Sequence, residues 1–351
     1  MIHSSNSAER KASRVSTAPF GTIVLAAYSP NPELFRRQLN SLRSQTVEDW
    51  ECIVSVDGDP APVTALVAQI TGDDHRFRVV GDGTRLGFYL NFERGLREVS
   101  SRSAWIALSD QDDLWDDDKL ERLLPHLTTV TLVSAQARIV SYPSGRETGR
   151  THRRDHGPLS TVLSNEFTGS LCVFSPEVLH TALPFPRAST RVATHDHWLA
   201  VAADAHRGTR IVDDLVQDYV QHDANVFGDP SRLGGGSIAA SVRNVMGQAR
   251  RYEGSGSPRA IARMTFWTYV GWRQLMVDTL EARAHTATVS DRRSRAFGRH
   301  RDARSLSAVL SHARREGIIP RRFAWEYRAS WVCGALTGGR RAAARAADAQ
   351  L

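Results

Sequence analysis

The chain has 351 residues, of which 41% are hydrophobic and 24% are charged. This composition is typical of a globular protein and excludes a disordered or fibrous chain, and the length is sufficient for two domains. A helix that spans a bilayer needs about 18 consecutive apolar residues. The longest candidate, residues 266–277, is shorter and is interrupted by Arg273, so we expect no membrane-spanning segment.

The N-terminus and the cysteines give a second set of expectations. Residues 1–19 are rich in Ser, Arg and Ala and lack the apolar core of a secretory signal, which predicts a disordered tail. The only cysteines are Cys52, Cys172 and Cys333. Their odd number and wide spacing favour neither a disulfide framework nor a zinc site, and a reducing cytoplasm fits best.

The formal net charge of +7 is unevenly distributed. From Asp229 onward there are 22 arginines and nine acidic residues, which gives +13 and leaves −6 for residues 1–228. Lys11 and Lys119 are the only lysines. A guanidinium group is weakly hydrated and binds phosphate through two hydrogen bonds, so the second half of the chain suits anionic partners. A general preference of the genome for arginine would produce the same bias.

Short apolar runs alternate with segments of helical spacing in the first part of the chain. After each of the first three runs, apolar residues recur at the spacing of a helix that has one buried face. This alternation predicts an α/β fold with a mostly parallel sheet. The predicted strands are residues 22–28, 51–56, 77–80 and 104–108.

The residues that follow these strands are the first candidates for a site, because ligands bind beyond the carboxyl ends of parallel strands. They are Tyr28, Asp57, Arg85 and Asp110. After residue 127 the pattern is less regular. We predict a further helix near residues 196–205 and further strands near residues 132–140, 169–174 and 215–219.

A glycine-rich segment, residues 229–237, is the best linker in the chain. Beyond it, strand signals nearly vanish and apolar residues recur at helical spacing. We therefore predict an α/β domain over residues 20–228 and a basic α-helical domain over residues 238–351.

An acidic cluster directly follows the fourth predicted strand. Asp110, Asp112 and Asp113 supply the hard oxygen ligands that suit Mg²⁺ or Mn²⁺. Three acids beside one strand end repel one another unless a cation compensates them, which favours a metal site. The next acids, residues 116–118, are interpreted more simply as the start of the following helix, where negative charge is stabilising.

Several stretches resemble, in the same order, family 2 of the inverting glycosyltransferases, which have a GT-A fold and use nucleotide-diphosphate sugars. Residues 26–28 resemble the opening motif of that family, and residues 50–58 resemble its second strand, with Val56 where the family has the first of two aspartates. The sequence DQDDLW at residues 110–115 resembles the DxD region of rhamnosyltransferase-like members. The resemblance covers residues 20–228 and is weaker after residue 127.

The resemblance implies roles for individual residues. The nucleotide would lie near Ala27, Tyr28, Asp57, Arg85, Asn91 and Asp110. The metal, Mn²⁺ or Mg²⁺, would be held by Asp112, Asp113 and His222. The acceptor would lie beside Gly169 and Trp198.

Asp196 resembles the acid that serves this family as catalytic base. In a direct displacement at the anomeric carbon, such a carboxylate accepts the proton of the acceptor hydroxyl while the diphosphate leaves on the opposite face. The alternative is that Asp196 caps the helix that begins there. We interpret the flanking residues, His195 and His197, as structural.

The basic C-terminal region admits two interpretations. Arginines between residues 292 and 304, together with aromatic residues between 266 and 272, suit an anionic membrane surface. Alternatively, the aromatic residues pack against the catalytic unit or against another subunit in a homo-oligomer, with the arginines on a solvated face.

The sequence therefore predicts a metal-dependent inverting glycosyltransferase in the cytoplasm or on the inner face of the plasma membrane. The expected donor is a nucleotide-diphosphate sugar, either dTDP-rhamnose or a UDP-sugar. The expected acceptor is a hydroxyl of a glycan or lipid-linked molecule in cell-envelope or polysaccharide synthesis. The alternatives are a catalytically silent sugar-nucleotide-binding scaffold and a nucleic-acid-binding protein. We do not expect nucleic acid, because no zinc finger or RNA-binding aromatic motif accompanies the arginines.

Overall fold

The computed structural model describes residues 18–188, 193–222, 238–283 and 291–349. The predicted linker, residues 229–237, and residues 1–17 of the predicted tail lie outside the described residues.

The nine described strands form one sheet. Its order is β3-β2-β1-β4-β8-β6-β9-β5. β7 stands outside this order and pairs with β6 on the side opposite β9. In chain order the strands are β1 (Gly21–Ala27), β2 (Trp50–Val56), β3 (Phe77–Val80), β4 (Trp105–Ser109), β5 (Leu114–Trp115), β6 (Leu132–Ser141), β7 (Arg146–Arg150), β8 (Val173–Phe174) and β9 (Thr209–Gln221).

The first four strands are parallel to one another, which confirms the predicted α/β alternation. The later strands join the sheet in both directions, since β8 is antiparallel to β4 and β6, whereas β6 and β9 are parallel. The strand predicted near residues 169–174 is shorter than expected, because Gly169–Leu171 forms a 3₁₀ turn and only β8 is extended.

The helices before residue 204 connect these strands. In α1, the Asn31 side chain accepts hydrogen bonds from the N–H groups of Glu33 and Leu34, and Pro32 occupies the first turn, as at many helix starts. These helices are α1 (Pro32–Arg43), α2 (Ala61–Thr71), α3 (Phe88–Arg97), α4 (Lys119–Leu123), α5 (Pro158–Leu163), α6 (Glu177–Ala182) and α7 (His195–Ala203).

The described residues after 237 are helical, as predicted. A π-helical turn, Trp267–Gly271, joins the second and third of these helices. They are α8 (Ile238–Glu253), α9 (Pro258–Phe266), α10 (Trp272–Arg283), α11 (Asp291–Phe297), α12 (Ala303–Arg315), α13 (Arg321–Thr337) and α14 (Gly339–Asp348). Across the described ranges, no helix combines the length and the hydropathy needed to cross a bilayer.

The two faces of the sheet carry separate hydrophobic clusters. Ile23 and Leu25 lie in one cluster, and Val24 lies in the other, as alternation along a strand requires. The cluster that contains Val24 also contains apolar residues of α7 and of α9 to α14. The C-terminal helices therefore share a continuous core with the α/β part of the chain.

This shared core corrects one expectation. Phe266, Trp267 and Trp272 are at most 5% exposed and pack in the core, so they cannot form a membrane-facing aromatic surface. Arg293 and Arg301, which were expected on an accessible basic face, are each 4% exposed. The alternative, in which the aromatic residues pack against the catalytic unit, is the one observed.

Candidate active site

The acidic turn, residues 110–113 between β4 and β5, is attached to the end of β1. The Gln111 side chain accepts a hydrogen bond from the Tyr28 N–H at 2.7 Å and donates one to the Tyr28 carbonyl at 3.2 Å. The strand order places β1 beside β4, so both carboxyl ends open on the same edge of the sheet. Tyr28 and the acidic turn therefore lie at the same edge of the sheet.

Asp112 and His222 are in contact at the open side of the turn. The imidazole Nε2 lies 2.8 Å from a carboxylate oxygen of Asp112, and both side chains are partly exposed. His222 directly follows β9, which pairs with β5 and so returns the chain to the acidic turn. This strand pairing brings together two of the three predicted metal ligands.

Asp110 experiences the charges of all the neighbouring acids. Desolvation and the carboxylates of Asp113, Asp112 and Asp196 raise the pKa of Asp110 well above its ordinary value. The predicted base, Asp196, is thus close enough to interact electrostatically with the acidic turn, although 85 residues separate it from Asp110 in the sequence. Repulsion among these acids would be relieved by a bound cation.

The side chain of Asp113 points into the core, away from the open side where Asp112 lies. It is 1% exposed, and it accepts hydrogen bonds from Gln217 Nε2 at 2.8 Å and from the Val220 N–H at 3.3 Å. Burial, followed by the charge of Asp112, raises its pKa to about 7. Asp113 therefore attaches the acidic turn to β9, and its oxygens are already engaged by protein groups.

Lys119 completes this buried attachment. Its ammonium donates to Gln217 Oε1 at 2.6 Å and to the Ser170 carbonyl, and it lies 3.5 Å from the centre of the Trp115 ring. Burial lowers the pKa of Lys119 to about 7. Sequence reasoning did not single out Lys119, although its rarity as one of two lysines was a usable signal. Gln217 carried no such signal.

The donor set at the open side fits a divalent cation. In the described part of the chain, no three His, Cys, Asp or Glu side chains converge as a complete metal cage. Mg²⁺ and Mn²⁺ nevertheless need only one or two carboxylates, because water and substrate phosphates complete the shell. Asp112 and His222 meet that requirement, whereas Asp113 is turned into the core.

The turn before α3 is held by Asp57. Its carboxylate accepts hydrogen bonds from the N–H groups of Leu86 and Gly87, the latter at 3.0 Å. Gly87 has φ of 80°, a conformation that favours glycine, and it precedes the first residue of α3. The same turn places the Arg85 guanidinium 4.1 Å from the centre of the Tyr28 ring. Tyr28 is 45% exposed, so the pair borders open solvent.

Two of the predicted nucleotide contacts are occupied within the protein. Ala27 is buried at the end of β1, where its carbonyl accepts the Asp57 N–H at 2.8 Å. Asn91 is 1% exposed, and its amide donates to the Ser55 carbonyl at 2.7 Å and accepts from the Ser55 hydroxyl at 2.9 Å. Asn91 therefore joins α3 to β2.

Asp196 lies in the first turn of α7. Its Oδ1 accepts hydrogen bonds from Asn165 Nδ2 at 3.0 Å and from the His197 N–H at 2.7 Å. No described side chain or N–H group bonds Oδ2. The N-cap position of α7 is occupied by Thr194 and not by Asp196, so the helix-capping alternative is wrong. Asn165 was not identified from the sequence.

The two predicted acceptor-side residues have different surroundings. Gly169 is buried beside His195, and a Cβ added to it would lie 2.3 Å from the His195 Nε2. Trp198 is fully buried, and its indole N–H donates to the Ala182 carbonyl at 2.9 Å. The structure thus places Trp198 in the core beneath α7 and not on a surface that an acceptor could contact.

The acids of residues 116–118 do not cap α4 as the simple interpretation expected. Asp118 occupies the N-cap position, but its side chain accepts no capping hydrogen bond. Asp116 instead pairs with Arg138 on β6. The attraction of a guanidinium across the sheet outweighs that of the helix end.

Residues 22–179 match the sequence model of the family described as glycosyl transferase family 2. These residues form a family 2 glycosyltransferase domain. The matched segment includes the acidic turn and Gly169, whereas Asp196 and His222 lie beyond it. The parallel strands and the crossing helices of this glycosyltransferase domain have the GT-A arrangement that the sequence predicted.

Two curated proteins show limited similarity to this chain. The succinoglycan biosynthesis protein ExoW of Rhizobium meliloti (strain 1021) is 30% identical over 99 residues, which are 28% of this chain and 31% of ExoW. The uncharacterized protein y4gI of Sinorhizobium fredii (strain NBRC 101917 / NGR234) is 32% identical over 108 residues, which are 30% of this chain and 12% of that protein. The chain thus spans less than a third of either relative.

Solved structures of other proteins match most of the chain at low identity. S. aureus TarS 1–349 in complex with UDP-GlcNAc is 11% identical to this chain. The match covers 93% of this chain and 90% of TarS 1–349, with a TM-score of 0.48. The mannosyltransferase PcManGT from Pyrobaculum calidifontis, in complex with GDP-Man and Mn²⁺, is 18% identical, with coverages of 96% and 90% and a TM-score of 0.43.

Proposed function

We propose that this protein is an inverting glycosyltransferase that moves one sugar from a nucleotide-diphosphate donor to a hydroxyl group. The observation that carries the proposal is the contact between Asp112 and His222 at the acidic turn of a family 2 domain, with Asp196 near enough for its charge to help raise the pKa of Asp110. A UDP-sugar or dTDP-rhamnose is the proposed donor, and the proposed acceptor is a glycan or a lipid-linked molecule.

The nucleotide side of the site is built around the turn that Asp57 holds. Tyr28 presents an exposed ring at the end of β1, and Arg85 supplies guanidinium donors beside it. An aromatic face suits a base, and a guanidinium fork suits a diphosphate oxygen. In this arrangement Asp57 positions Arg85 through the backbone of the turn, and Arg85 lies against the Tyr28 ring.

Asp112 and His222 would hold a Mn²⁺ or Mg²⁺ ion together with the donor. When bound, such an ion offsets the negative charge of the departing diphosphate. Asp113, Gln217 and Lys119 keep the acidic turn against β9, so that Asp112 projects from a fixed backbone. The precise placement of such groups is what makes electrostatic stabilisation effective.

Asp196 is the proposed base. Both of its hydrogen bonds from protein groups reach Oδ1, which orients the carboxylate and leaves Oδ2 available to accept the proton of the acceptor hydroxyl. A single displacement by that hydroxyl, opposite the departing diphosphate, inverts the configuration at the anomeric carbon.

Polysaccharide or cell-envelope synthesis is the proposed setting. The name of ExoW refers to succinoglycan biosynthesis, and its similarity covers 28% of this chain. A lipid-linked or growing glycan acceptor would make a position at the inner face of the plasma membrane useful, and we include peripheral attachment there in the proposal.

A thermal-shift screen of UDP-, dTDP- and GDP-sugars, each with and without Mn²⁺, tests the donor assignment. A donor present at about 100 times its Kd stabilises the native state by about 2.7 kcal/mol. We expect stabilisation by one nucleotide class, enhanced by Mn²⁺ in the wild type and not in Asp112→Ala. Absence of any shift with all of these nucleotide sugars would contradict the donor assignment and would favour a function other than sugar transfer.

A transfer assay with the stabilising donor tests the base. Asp196→Asn should lower kcat at least about 100-fold, which is the usual contribution of general base catalysis. Asp117→Asn is the matched control, because Asp117 is exposed and near the acidic turn, whereas Asp116 is held in an ion pair. Full activity of Asp196→Asn would exclude Asp196 as the base.

A further inference from the structure

The outer side of α13 carries a row of exposed apolar side chains. Trp325, Val332 and Leu336 are 64%, 57% and 81% exposed. Their spacing of seven and four residues places them on one side of the helix. We call these three residues the α13 face.

The α13 face cannot turn inward, because the opposite side of the helix is already packed. Tyr327 is fully buried, and the Ser330 hydroxyl donates to the Thr265 carbonyl at 3.2 Å. Gly334 lies so close to Phe266 that a Cβ there would come within 2.4 Å of its ring. The orientation of α13 is therefore fixed by the core.

Exposed apolar side chains are concentrated on this helix. The large hydrophobic side chains that are exposed in the described ranges number six, and three of them form the α13 face. Single exposed apolar residues are normal, whereas a contiguous group marks an interaction surface. Two of the other three, Tyr28 and Leu86, belong to the candidate active site.

A basic groove adjoins the start of α13. It has a volume of about 510 Å³ and is lined by Arg314, Arg315, Gly317, Ile319, Pro320 and Arg321. We use the name basic groove for this groove and its three arginines. All three are exposed, and none of them forms a salt bridge with a described residue.

The surrounding sequence reinforces this positive charge. Residues 312–345 contain eight arginines and two acidic residues. One of these acids, Glu326, is paired with Arg322 at 2.7 Å. Arg321 and Arg328 lie along the same side of the helix as Trp325, one turn away in each direction, so the apolar row is flanked by cations.

We infer that the α13 face and the basic groove together form a docking surface for an anionic phospholipid bilayer. Helices that lie in a membrane interface combine a row of Trp and Leu with flanking arginines, and each arginine near an anionic leaflet adds attraction. Headgroup phosphates would enter the basic groove while the α13 face enters the acyl boundary. The inference specifies the peripheral attachment proposed above and does not depend on the transfer chemistry.

A second copy of the chain fits this surface less well. In a symmetric dimer the same patch meets itself, so the unpaired arginines of the basic groove would approach one another. A nucleic acid would satisfy the arginines, but it would leave the aliphatic side chains of Val332 and Leu336 without an apolar partner. An anionic bilayer supplies both kinds of contact.

Vesicle co-sedimentation tests the inference with the full-length chain. The probe is a vesicle made of equal parts phosphatidylglycerol and phosphatidylcholine, compared with pure phosphatidylcholine. We expect preferential binding to the anionic vesicle, and at least about tenfold weaker binding for the double variant Trp325→Ser, Leu336→Ser. The matched control is Val242→Ser on α8, which removes a 49% exposed apolar side chain elsewhere.

The charge requirement is tested separately. The triple variant Arg314→Gln, Arg315→Gln, Arg321→Gln should weaken binding to the anionic vesicle by about fivefold per arginine, or about 100-fold together. The triple variant of the exposed residues Arg243, Arg259 and Arg304 to Gln, which lie outside the basic groove, should weaken it much less.

Several outcomes would overturn the inference. The first is that the double variant binds vesicles as strongly as the wild type. The second is that the two triple variants lose the same amount of vesicle affinity. The third is that the double substitution dissociates an oligomer in sedimentation velocity without any change in vesicle binding. Preferential binding of the wild type to duplex DNA over the anionic vesicle would also overturn it. Transfer to a soluble acceptor is measured in parallel, and its retention in every variant separates loss of docking from loss of fold or of the proposed activity.

Discussion

The imidazole of His195 lies face to face against the phenyl ring of Phe92, with centroids 3.9 Å apart and ring planes 24° apart. His195 is 7% exposed, neither of its ring nitrogens has a hydrogen-bond partner, and burial lowers its pKa. The imidazole is therefore neutral, and it packs as a flat ring against Phe92. This stack joins α3 to α7 and fixes the first turn of α7, where Asp196 lies.

Gly169→Ala should disturb this stack. The added Cβ would lie 2.3 Å from the His195 Nε2, so the ring must move away from Phe92. Overpacking of this kind costs about 1–3 kcal/mol, and a shifted α7 would also misplace Asp196. Urea denaturation should show the lower free energy of unfolding, and initial rates should show a lower kcat.

The control for this substitution is Gly149→Ala on β7. A Cβ at Gly149 meets nothing closer than Ile139 Cδ1 at 3.9 Å, so the same chemical change fits without displacement. Equal stability and kcat in the two alanine variants would contradict the role assigned to the contact between Gly169 and His195.

Lys119→Met tests the attachment of the acidic turn to β9. Without the ammonium, Gln217 Oε1 and the Ser170 carbonyl lose a buried donor, and each unsatisfied group costs about 1–3 kcal/mol. We expect a loss of about 3 kcal/mol in the free energy of unfolding, together with weaker Mn²⁺-dependent stabilisation by the donor.

A double-mutant cycle with Gln217→Leu checks the cause. Because Lys119 and Gln217 belong to one hydrogen-bonded network, the double variant should lose clearly less stability than the sum of the two single variants. Strict additivity would show that the two side chains act independently.

The first four strands could be predicted because their signals are local. Branched apolar residues in β1 and β2 and helical spacing in α1 and α3 depend on residues close in the chain. The two-residue β5 and the polar β7 gave no such signal, since only pairing with β9 and β6 makes them strands. Propensity is a weak guide where tertiary pairing decides.

The candidate site divides in the same way. Position after a strand predicts that Tyr28, Asp57 and Asp110 lie at one open edge of the sheet, because parallel strands share that edge. It could not show that Asp113 and Trp198 turn into the core, since spacing gives a position on an element and not the packing around it. The aromatic residues near 266–272 illustrate the same limit, because a row of aromatics suits a membrane and a core equally well.

Asp57→Ala distinguishes two roles for this carboxylate. The structure uses it to hold the N–H groups of Leu86 and Gly87, so its removal should loosen the turn that carries Arg85. We expect the Kd of UDP and the Kd of GDP to rise together, by about tenfold, for the loss of about 1.4 kcal/mol of hydrogen bonding. Isothermal titration calorimetry measures both.

A direct contact between Asp57 and the nucleotide base would give a different result, because only the Kd of the preferred nucleotide would rise. Asp73→Ala is the control, because Asp73 is an exposed acid just beyond the far end of α2. An unchanged Kd for both nucleotides in Asp57→Ala would exclude either role.

His197 should make the stability of the protein sensitive to acid. Its Nδ1 accepts the Trp272 indole N–H at 3.3 Å, and its Nε2 donates to the Thr161 carbonyl at 2.7 Å, so a second ring proton would face another donor. Burial, followed by the Arg273 charge, lowers its pKa from 6.5 to about 4. As the pH falls from about 6.5 to about 4, the unfolded chain binds a proton that the native state excludes. The free energy of unfolding therefore falls, by an amount on the order of 3 kcal/mol.

Urea denaturation between pH 4 and pH 7 checks this prediction. Other buried acids titrate in the same window, so the informative quantity is the difference in unfolding free energy between the wild type and His197→Gln. That difference should shrink as the pH falls, because glutamine binds no proton. His152→Gln, which replaces an exposed histidine, is the control. A pH-independent difference for His197→Gln would mean that His197 is not held neutral by the contact between α7 and α10.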